Sequence, residues 1–165
     1  MADAADYFQN PPPRRTAALA LLEHDGQYVI ISRSYWTEVS RWGLPGGSAA
    51  PNEHPRRAMS RLLAEKLGLR LTPQALIAVD YSPPVPGHCT EGLNFVYHVP
   101  LPTRAEISVV DNSGYTEARW VTAEEAEDLA VDHELWRINE CLAALRGGFT
   151  ADLLKGLPFP SPHSR

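Results

Sequence analysis

A run of residues near the middle of the chain has a spacing that suggests chemistry more than its composition does. It consists of the turn Trp42-Gly43-Leu44-Pro45-Gly46-Gly47, then Glu53, then the stretch Arg61-Leu62-Leu63-Ala64-Glu65-Lys66-Leu67-Gly68-Leu69. A Gly-Gly pair alone would mark an ordinary turn. Because this pair shortly precedes a predicted helix over about residues 53–67, a role in a binding site is favoured over a plain turn.

This spacing resembles the Nudix box. The family pattern is a glycine, five residues, a glutamate, seven residues and then Arg-Glu-aliphatic-any-Glu-Glu-any-Gly-aliphatic. The residues in register with that pattern are Gly47, Glu53, Arg61, Leu63, Glu65, Gly68 and Leu69. Two acidic positions depart from it, because Leu62 and Lys66 stand where the family has glutamate.

The resemblance implies a role for each matching residue. In Nudix enzymes, glutamates on one edge of the helix hold Mg²⁺ or Mn²⁺ against a diphosphate and help to activate the attacking water, since hard cations need oxygen ligands. Glu65 is then a catalytic residue and a metal ligand, and the Gly46 carbonyl is a second metal ligand. Glu53 and Arg61 are catalytic residues that brace the loop before the helix. Glu65 alone remains from the helix triplet, so we expect Mg²⁺ or Mn²⁺ to bind weakly or not at all.

The brace has a plainer alternative. Glu53 and Arg61 differ by about 80° around a helix axis and about 12 Å along it, so their contact requires Glu53 to curl back from the helix start. Otherwise Glu53 would pair with Arg57 at i, i+4, a surface interaction of about 0.3–0.5 kcal/mol. The register of the whole motif favours the Glu53–Arg61 pair.

Lys66 is unusual because it lies within the apolar face of the predicted helix. At about 100° per residue this face contains Ala58, Met59, Leu62, Leu63 and Leu67. Burying an ammonium without a partner is costly, so the position is expected to face a polar group. Two alternatives stay open. The ammonium occupies part of the metal space and pairs with Glu65 or with a diphosphate, or it extends to solvent.

Five residues are candidates for contact with the ligand: Arg33, Gly46, Gly47, Lys66 and Tyr81. Cationic groups suit phosphates, and aromatic faces suit a nucleobase. Tyr35 and Trp36 are further candidates for stacking. For each of these side chains taken alone, a structural role is the more common one.

The composition restricts the partners. The formal charge of -5 argues against a general nucleic-acid surface, which would need a basic stripe. No apolar run approaches the ~20 residues that span a bilayer, and residues 1–15 have no apolar signal core. Two cysteines are too few for a disulfide framework. We expect a cytoplasmic protein with a small nucleotide ligand. Dimers are common in the resembled family, so a homodimer stays open.

Patterns along the chain predict a mixed fold. Expected strands are Thr16–Glu23, Tyr28–Ser32, Ala75–Tyr81, Leu93–Val99 and Glu117–Val121, the first two joined by a hairpin at Asp25-Gly26. Further helices are expected near Ala123–Asp128 and Glu134–Leu145, and the central helix has Asn52 as its N-cap and Gly68 as its stop. We expect a loose segment over 1–15, one domain over 16–157 and a loose tail over 158–165. The resemblance implies an α/β fold, the Nudix α/β/α sandwich with a mixed sheet.

The sequence leaves open whether the protein is an enzyme. The resemblance implies a hydrolase that cleaves a phosphoanhydride in a nucleoside diphosphate linked to another moiety, using Mg²⁺. Its activity should be weak or altered, because loss of ligand carboxylates typically lowers turnover by orders of magnitude. The alternative is a catalytically inactive domain that binds a nucleotide diphosphate or regulates through it. A purely structural interaction module is the least favoured function, because the loop glycines and Glu65 are present.

Overall fold

The computed structural model describes residues 4–35 and 42–160 of the chain. The strands are β1 (Arg15–His24), β2 (Gln27–Arg33), β3 (Trp42–Gly43), β4 (Gly46–Ser48), β5 (Leu76–Ser82), β6 (Gly92–Pro100), β7 (Tyr115–Val121), β8 (Ala151–Leu154) and β9 (Leu157–Pro158). The helices are α1 (Ala4–Gln9), α2 (Pro55–Leu67), α3 (Ala123–Glu127) and α4 (Asp132–Gly147). Among these described helices, none is both long and apolar enough to cross a bilayer.

The strands of the described residues form one mixed sheet. Its order is β3-β2-β1-β6-β5-β8-β9, while β4 pairs with β1 and β7 pairs with β2. The β1–β6 and β5–β8 pairs are parallel, and the other pairs are antiparallel. A central strand, β1, thus has β2, β4 and β6 as neighbours, and the sheet curls around it. The α/β class with a mixed sheet, predicted from the sequence, is confirmed.

Two hydrophobic clusters lie on opposite faces of the sheet because side chains alternate along β1. Leu19 and Leu21 belong to the cluster that includes the buried face of α4. Ala18, Ala20 and Leu22 belong to the cluster that includes the buried face of α2. The sheet is therefore the middle layer between α2 and α4, so each helix can bring polar residues to one edge of the sheet.

The central helix begins two residues later than the sequence indicated. Its first residue is Pro55, and His54 is the N-cap, whose ring accepts a hydrogen bond from the Arg56 N–H at 3.1 Å. Asn52, the expected N-cap, lies in the preceding turn with a φ of 61°. Proline suits the first position because its fixed φ is helical and its missing N–H has no intrahelical partner. Gly68 ends the helix with a φ of 66°, as expected.

The long strands and the first hairpin agree with the sequence patterns, but several short elements were not expected. Asp25 and Gly26 both have positive φ, as a two-residue hairpin turn requires. The unexpected elements are β3, β4, β8, β9 and α1, and α1 lies inside the segment 1–15 that was expected to be loose. Part of the expected tail, Pro158, belongs to β9, and residues 161–165 lie outside the described part of the chain.

The pairing of β4 with β1 depends on a glycine. A Cβ added to Gly46 would lie 2.1 Å from the Ala18 carbonyl oxygen, a distance that backbone atoms cannot accommodate. A Cβ added to Gly47 would lie 3.2 Å from Leu62 Cδ2, the end of a side chain that can shift. The two neighbouring glycines therefore differ in their tolerance of substitution.

We expect Gly46→Ala to lower the free energy of unfolding by about 3 kcal/mol, because overpacking against a rigid backbone displaces the strand. Gly47→Ala, the matched control, should cost about 1 kcal/mol or less. Denaturant unfolding of the two variants and the parent measures both values. Equal losses for the two alanines would contradict this account of the β1–β4 contact.

Candidate functional site

Arg61 joins the loop before α2 to the helix. Its Nε donates to Glu53 Oε1 at 2.8 Å and its Nη2 donates to Glu53 Oε2 at 2.7 Å. The second carboxylate oxygen also accepts the Ala50 N–H at 2.8 Å. Glu53 therefore pairs with Arg61 rather than Arg57, and the carboxylate fixes the loop at its two ends. These bonds from Arg61 and from the Ala50 N–H lower the pKa of Glu53 to about 2.

Glu65, the remaining carboxylate of the helix triplet, is paired with the same guanidinium. Its Oε2 accepts a hydrogen bond from Arg61 Nη1 at 2.9 Å, and its side chain is 53% exposed. Arg61 thus bridges two carboxylates: that of Glu53, eight residues before it, and that of Glu65, four residues after it. A metal ion at Glu65 would have to compete with this guanidinium.

Lys66 faces a backbone carbonyl of the segment that precedes β7. Its ammonium donates to the carbonyl oxygen of Ser113 and lies 5.5 Å from the centroid of the Tyr115 ring. The expectation that this position faces a polar group is confirmed. The group is neither Glu65 nor solvent, so Lys66 links the helix to the segment that enters β7.

The Gly46 backbone is occupied by the Tyr115 side chain. The buried Tyr115 hydroxyl donates to the Gly46 carbonyl at 2.6 Å and accepts the Gly46 N–H at 2.7 Å. Burial raises the pKa of Tyr115, so the hydroxyl keeps the proton that it donates. The carbonyl that was expected to hold a metal is therefore already hydrogen-bonded.

The residues at this edge of α2 do not fit a divalent cation. Hard cations need several oxygen ligands. Leu62 is buried in the core beneath Gly47, Lys66 presents a positive charge, and Glu65 is paired with Arg61. Within the described residues, no group of three or more His, Cys, Asp or Glu side chains is arranged to hold a metal.

A cavity of about 640 Å³ lies next to the glycine-rich turn. Its walls come from β1, β2, β4, the loop after β5, the start of α4 and the β8–β9 turn. Among the described residues, the charged side chains that line it are Arg15, Arg33, Glu134, Arg137 and Lys155. Four of these are cationic and one is acidic. The cavity is thus a positively charged recess in a protein whose formal charge is negative.

The structure brings only some of the expected ligand residues together. Arg33, Gly47 and Tyr35 line the cavity, and the Arg33 Nη2 donates to the Leu44 carbonyl at 2.7 Å. The residues that were expected at the site but do not line this cavity are Gly46, Glu53, Arg61, Glu65, Lys66 and Tyr81. Trp36 lies outside the described residues. The cavity and the box residues therefore meet at the turn that contains Gly47.

Tyr81 supports the rim of the cavity instead of facing into it. Its hydroxyl donates to Glu91, which also accepts a hydrogen bond from Arg14. The Arg15 side chain donates to the Thr90 carbonyl at 3.0 Å. Together these bonds attach the loop between β5 and β6, part of which lines the cavity, to the start of β1.

A buried ion network forms the inner wall of the cavity. Arg137 Nε donates to Asp80 Oδ2 at 2.6 Å, and Arg137 Nη1 donates to Glu134 Oε2 at 2.8 Å. Asp80 is fully buried, and its Oδ1 accepts the Gly156 N–H at 3.0 Å. Burial opposes ionisation of Glu134, but the charges of Arg137 and Arg33 outweigh it and hold the pKa of Glu134 below its ordinary value. Glu134 is therefore charged at neutral pH.

Sequence patterns did not indicate this network. Asp80 is far from Glu134 and Arg137 in the chain, and charged residues in a strand or on a helix ordinarily face solvent. The i, i+3 spacing of Glu134 and Arg137 on a predicted helix indicates that these two side chains can form an ion pair. Lys-Gly is not one of the dipeptides that favour a two-residue hairpin, so the turn at Lys155-Gly156 was not predictable from its residues.

Comparisons with known proteins point to one family. A family model described as the NUDIX domain matches residues 12–140. A MutT NUDIX hydrolase structure from Burkholderia pseudomallei is 26% identical, with 68% of this chain and 86% of that chain covered and a TM-score of 0.60. The ORF135 protein of E. coli is 22% identical, with 82% and 92% covered and a TM-score of 0.63. No curated protein matches the chain in sequence.

A third solved structure contains a ligand. The NUDIX domain of Shewanella oneidensis NrtR, complexed with ADP ribose, is 17% identical to this chain. The similarity covers 87% of this chain and 99% of that one, with a TM-score of 0.63. At this level of identity the likeness concerns the fold.

We expect the stabilising effect of Glu53 to disappear in acid. The pKa of Glu53 is lowered from 4.5 to about 2, so its contribution is complete above about pH 5 and is lost as the pH falls through about 2. The free energy of unfolding should therefore be lower for Glu53→Gln than for the parent near neutral pH. This difference should shrink between about pH 4.5 and pH 2, which denaturant unfolding at a series of pH values will measure.

The control for this experiment is Glu124→Gln, which removes an exposed carboxylate from the first turn of α3. Its difference from the parent should be small at every pH. A Glu53→Gln difference that stays constant from pH 7 to pH 2 would show that Arg61 does not stabilise the Glu53 carboxylate.

Proposed function

Because the chain belongs to the NUDIX family, as the match over residues 12–140 shows, we propose that it binds a nucleoside diphosphate derivative in the charged cavity and hydrolyses it weakly or not at all. The ligand is a small cytoplasmic nucleotide, and no nucleic acid polymer is involved. The observation that carries the proposal is the set of cationic side chains around the cavity beside Gly47.

The charge of the cavity favours an anionic ligand. Four cationic side chains and one carboxylate of the described residues line it, although the whole chain has a formal charge of -5. A recess of one sign with low-dielectric walls concentrates the field and attracts counter-charged ligands. Guanidinium and ammonium groups are the side chains that bind phosphate most strongly. The phosphates of a nucleotide are therefore better matched to this cavity than a neutral metabolite is.

The size and the remaining walls suit a nucleotide. A volume of about 640 Å³ lies inside the ~300–1,000 Å³ range of small-molecule sites. Leu19, Pro83, Pro84 and Val85 provide apolar surface, and the half-exposed ring of Tyr35 stands at the wall. A base has an apolar face that such groups cover. We assign the base to these groups and the diphosphate to the cationic side chains.

Weak or absent hydrolysis follows from the edge of α2. NUDIX hydrolases generally use a divalent metal such as Mg²⁺, and the α2 edge of this chain offers an alkyl group, an ammonium and a paired carboxylate in its place. Lys66 is committed to the Ser113 carbonyl and cannot generate a hydroxide. Binding through the cavity cations does not require these positions, so we expect ligand affinity without metal.

A slow metal-dependent hydrolase is the second candidate. The observation in its favour is the intact arrangement of Glu53, Arg61 and Glu65, which keeps one box carboxylate at the surface of α2. In this case Glu65 and the Gly46 carbonyl would be the protein ligands of Mg²⁺ or Mn²⁺. The ion would have to displace the Arg61 and Tyr115 hydrogen bonds, which agrees with low activity.

We expect ADP-ribose and inorganic pyrophosphate to bind the parent protein equally well with Mg²⁺ and with EDTA, with dissociation constants that agree within about twofold. The physical reason is that the cavity cations neutralise the phosphates directly. Calorimetric titration measures the constants, and the affinity should fall as salt is added. Binding that occurs only with the metal would favour the hydrolase, and absence of binding by any nucleoside diphosphate derivative would overturn the proposed function.

Hydrolysis is tested on the same ligands. Cleavage of a panel of nucleoside diphosphate derivatives with Mg²⁺ or Mn²⁺ is followed for the parent and for Glu65→Gln. Metal-dependent turnover that Glu65→Gln abolishes would establish the second candidate. If neither protein cleaves any of these derivatives, ligand binding remains as the proposed function.

Restoring the two box carboxylates should create a metal site. We expect Mn²⁺ to raise the melting temperature of Leu62→Glu/Lys66→Glu, because an ion that binds only the folded state stabilises it, by about 2.7 kcal/mol at a hundred times its Kd. The melting temperatures of the parent and of the isosteric control Leu62→Gln/Lys66→Gln should not change. A Mn²⁺ shift of the same size in all three proteins would show that the metal binds elsewhere.

A further inference from the structure

The C-terminal hairpin adds a wall to the cavity from outside the family match. The NUDIX match ends at residue 140, whereas β8 and β9 follow α4. β8 extends the sheet by parallel pairing with β5, from Ala78↔Ala151 to Tyr81↔Leu154. The two-residue turn between β8 and β9, Lys155-Gly156, then reaches the cavity, and Lys155 lines it. This segment therefore belongs to the site by position.

The turn has a residue that its backbone disfavours. Lys155 has a φ of 51° and Gly156 has a φ of 83°. Positive φ at both central positions of a two-residue hairpin favours Asn, Asp or Gly at the first of them. A lysine there is strained by its Cβ. Such outliers concentrate at functional sites, where the surrounding structure holds them in place.

The surrounding structure does hold this turn in place. The Gly156 N–H donates to the buried Asp80 carboxylate at 3.0 Å, and the Lys155 N–H donates to the Tyr81 carbonyl at 2.9 Å. A Cβ on Gly156 would lie 2.3 Å from the His133 carbonyl oxygen, so the turn is packed directly against α4. The ion network of Arg137 thus fixes the backbone from which the Lys155 side chain leaves.

The charge of Lys155 has no internal partner. Among the described residues its ammonium makes no hydrogen bond and no ion pair, whereas Asp80 and Glu134, the buried carboxylates nearby, are both bound to Arg137. The neighbouring His133 is no partner for it either: burial lowers the pKa of His133, the charge of Glu134 opposes this shift, and the charges of Arg137 and Lys155 add to it. A solvated surface lysine would account for the missing partner, but not for the strained position at the cavity wall.

We propose that Lys155 binds the phosphate groups of the ligand and that the hairpin β8–β9 is part of the ligand site. This inference rests on the proposed function, because it assigns one contact within the same cavity. Lys155 and Arg15 approach the cavity from β8–β9 and from β1, and Arg137 is neutralised by its two carboxylates. Within the described part of the chain, the Lys155 ammonium is therefore the cation on the α4 side whose charge is available to the phosphates.

The test uses Lys155→Asn, in which binding and stability should change in opposite directions. Asparagine suits a positive φ, so the melting temperature should rise. Loss of a charge-assisted contact should weaken the binding of pyrophosphate and of ADP-ribose by about tenfold or more, measured by titration in EDTA. Lys155→Arg keeps the charge and should stay within about threefold of the parent. Arg146→Gln, which removes one positive charge from the exposed end of α4, should bind as the parent does.

Amine labelling supplies a second measurement. The chain contains two lysines, Lys66 and Lys155, and the first is engaged with Ser113 outside the cavity. Pyrophosphate should protect Lys155 from acetylation and leave the labelling of Lys66 unchanged. If the parent binds both probes but Lys155→Asn binds equally well and Lys155 is not protected, the hairpin assignment is wrong and the proposed function stands. If the parent binds neither probe nor any other nucleoside diphosphate derivative, both are wrong.

Discussion

The Arg137 guanidinium holds together three parts of the molecule that the cavity needs. It joins α4 to β5 through Asp80, and Asp80 in turn accepts the Gly156 N–H of the β8–β9 turn. Arg137, Asp80 and Glu134 are almost entirely removed from solvent, so each charge depends on the others. Removing one member of such a network leaves an uncompensated buried charge, which typically costs about 3–5 kcal/mol. The orientation of α4 against the sheet, and with it the inner wall of the cavity, depends on this network.

The packing around the same network requires glycine at two positions. A Cβ on Gly43 would lie 2.8 Å from Glu134 Oε2 and 3.2 Å from Arg33 Nη1, so β3 can approach these charges only as glycine. Gly156 is confined by the backbone of α4, because its Cβ would lie 2.3 Å from the His133 carbonyl oxygen, and its N–H donates to Asp80. Two glycines far apart in sequence thus serve one group of charges. Each glycine allows the backbone to pack closely against neighbouring atoms. A sequence pattern cannot distinguish such a glycine from one that forms a turn.

How much was predictable depends on whether a residue acts locally. The Asp25-Gly26 hairpin and the Gly68 stop follow from φ preferences of single residues. The Glu53–Arg61 pair was predictable because a known spacing carried it. The short strands were not predictable, because two to four residues contain too little periodicity. The ion network and the position of Lys155 at the cavity were not predictable either, since the residues involved meet only in the folded chain.

The two departures from the box fit together physically. Glutamates at positions 62 and 66 would place two like charges one turn apart, an arrangement that needs a cation to be stable. In this chain Leu62 fills the space beneath Gly47 with methyl groups, and Lys66 binds the carbonyl of Ser113. Side chains of the protein hold the glycine-rich turn in place. The Tyr115 hydroxyl binds the N–H and the carbonyl of Gly46, and the Arg61–Glu53 pair holds the loop between β4 and α2.

A loop that is already fixed by its own side chains needs no metal to shape it. Preorganised groups lose little entropy when a ligand binds, so a cavity of this kind can retain affinity after the metal positions have changed. Chemistry is more demanding, since generation of a nucleophile from water requires a metal or a base at a defined place. Under the proposed function, Leu62 and Lys66 therefore lower turnover more than binding, because the cationic side chains of the cavity do not depend on positions 62 and 66.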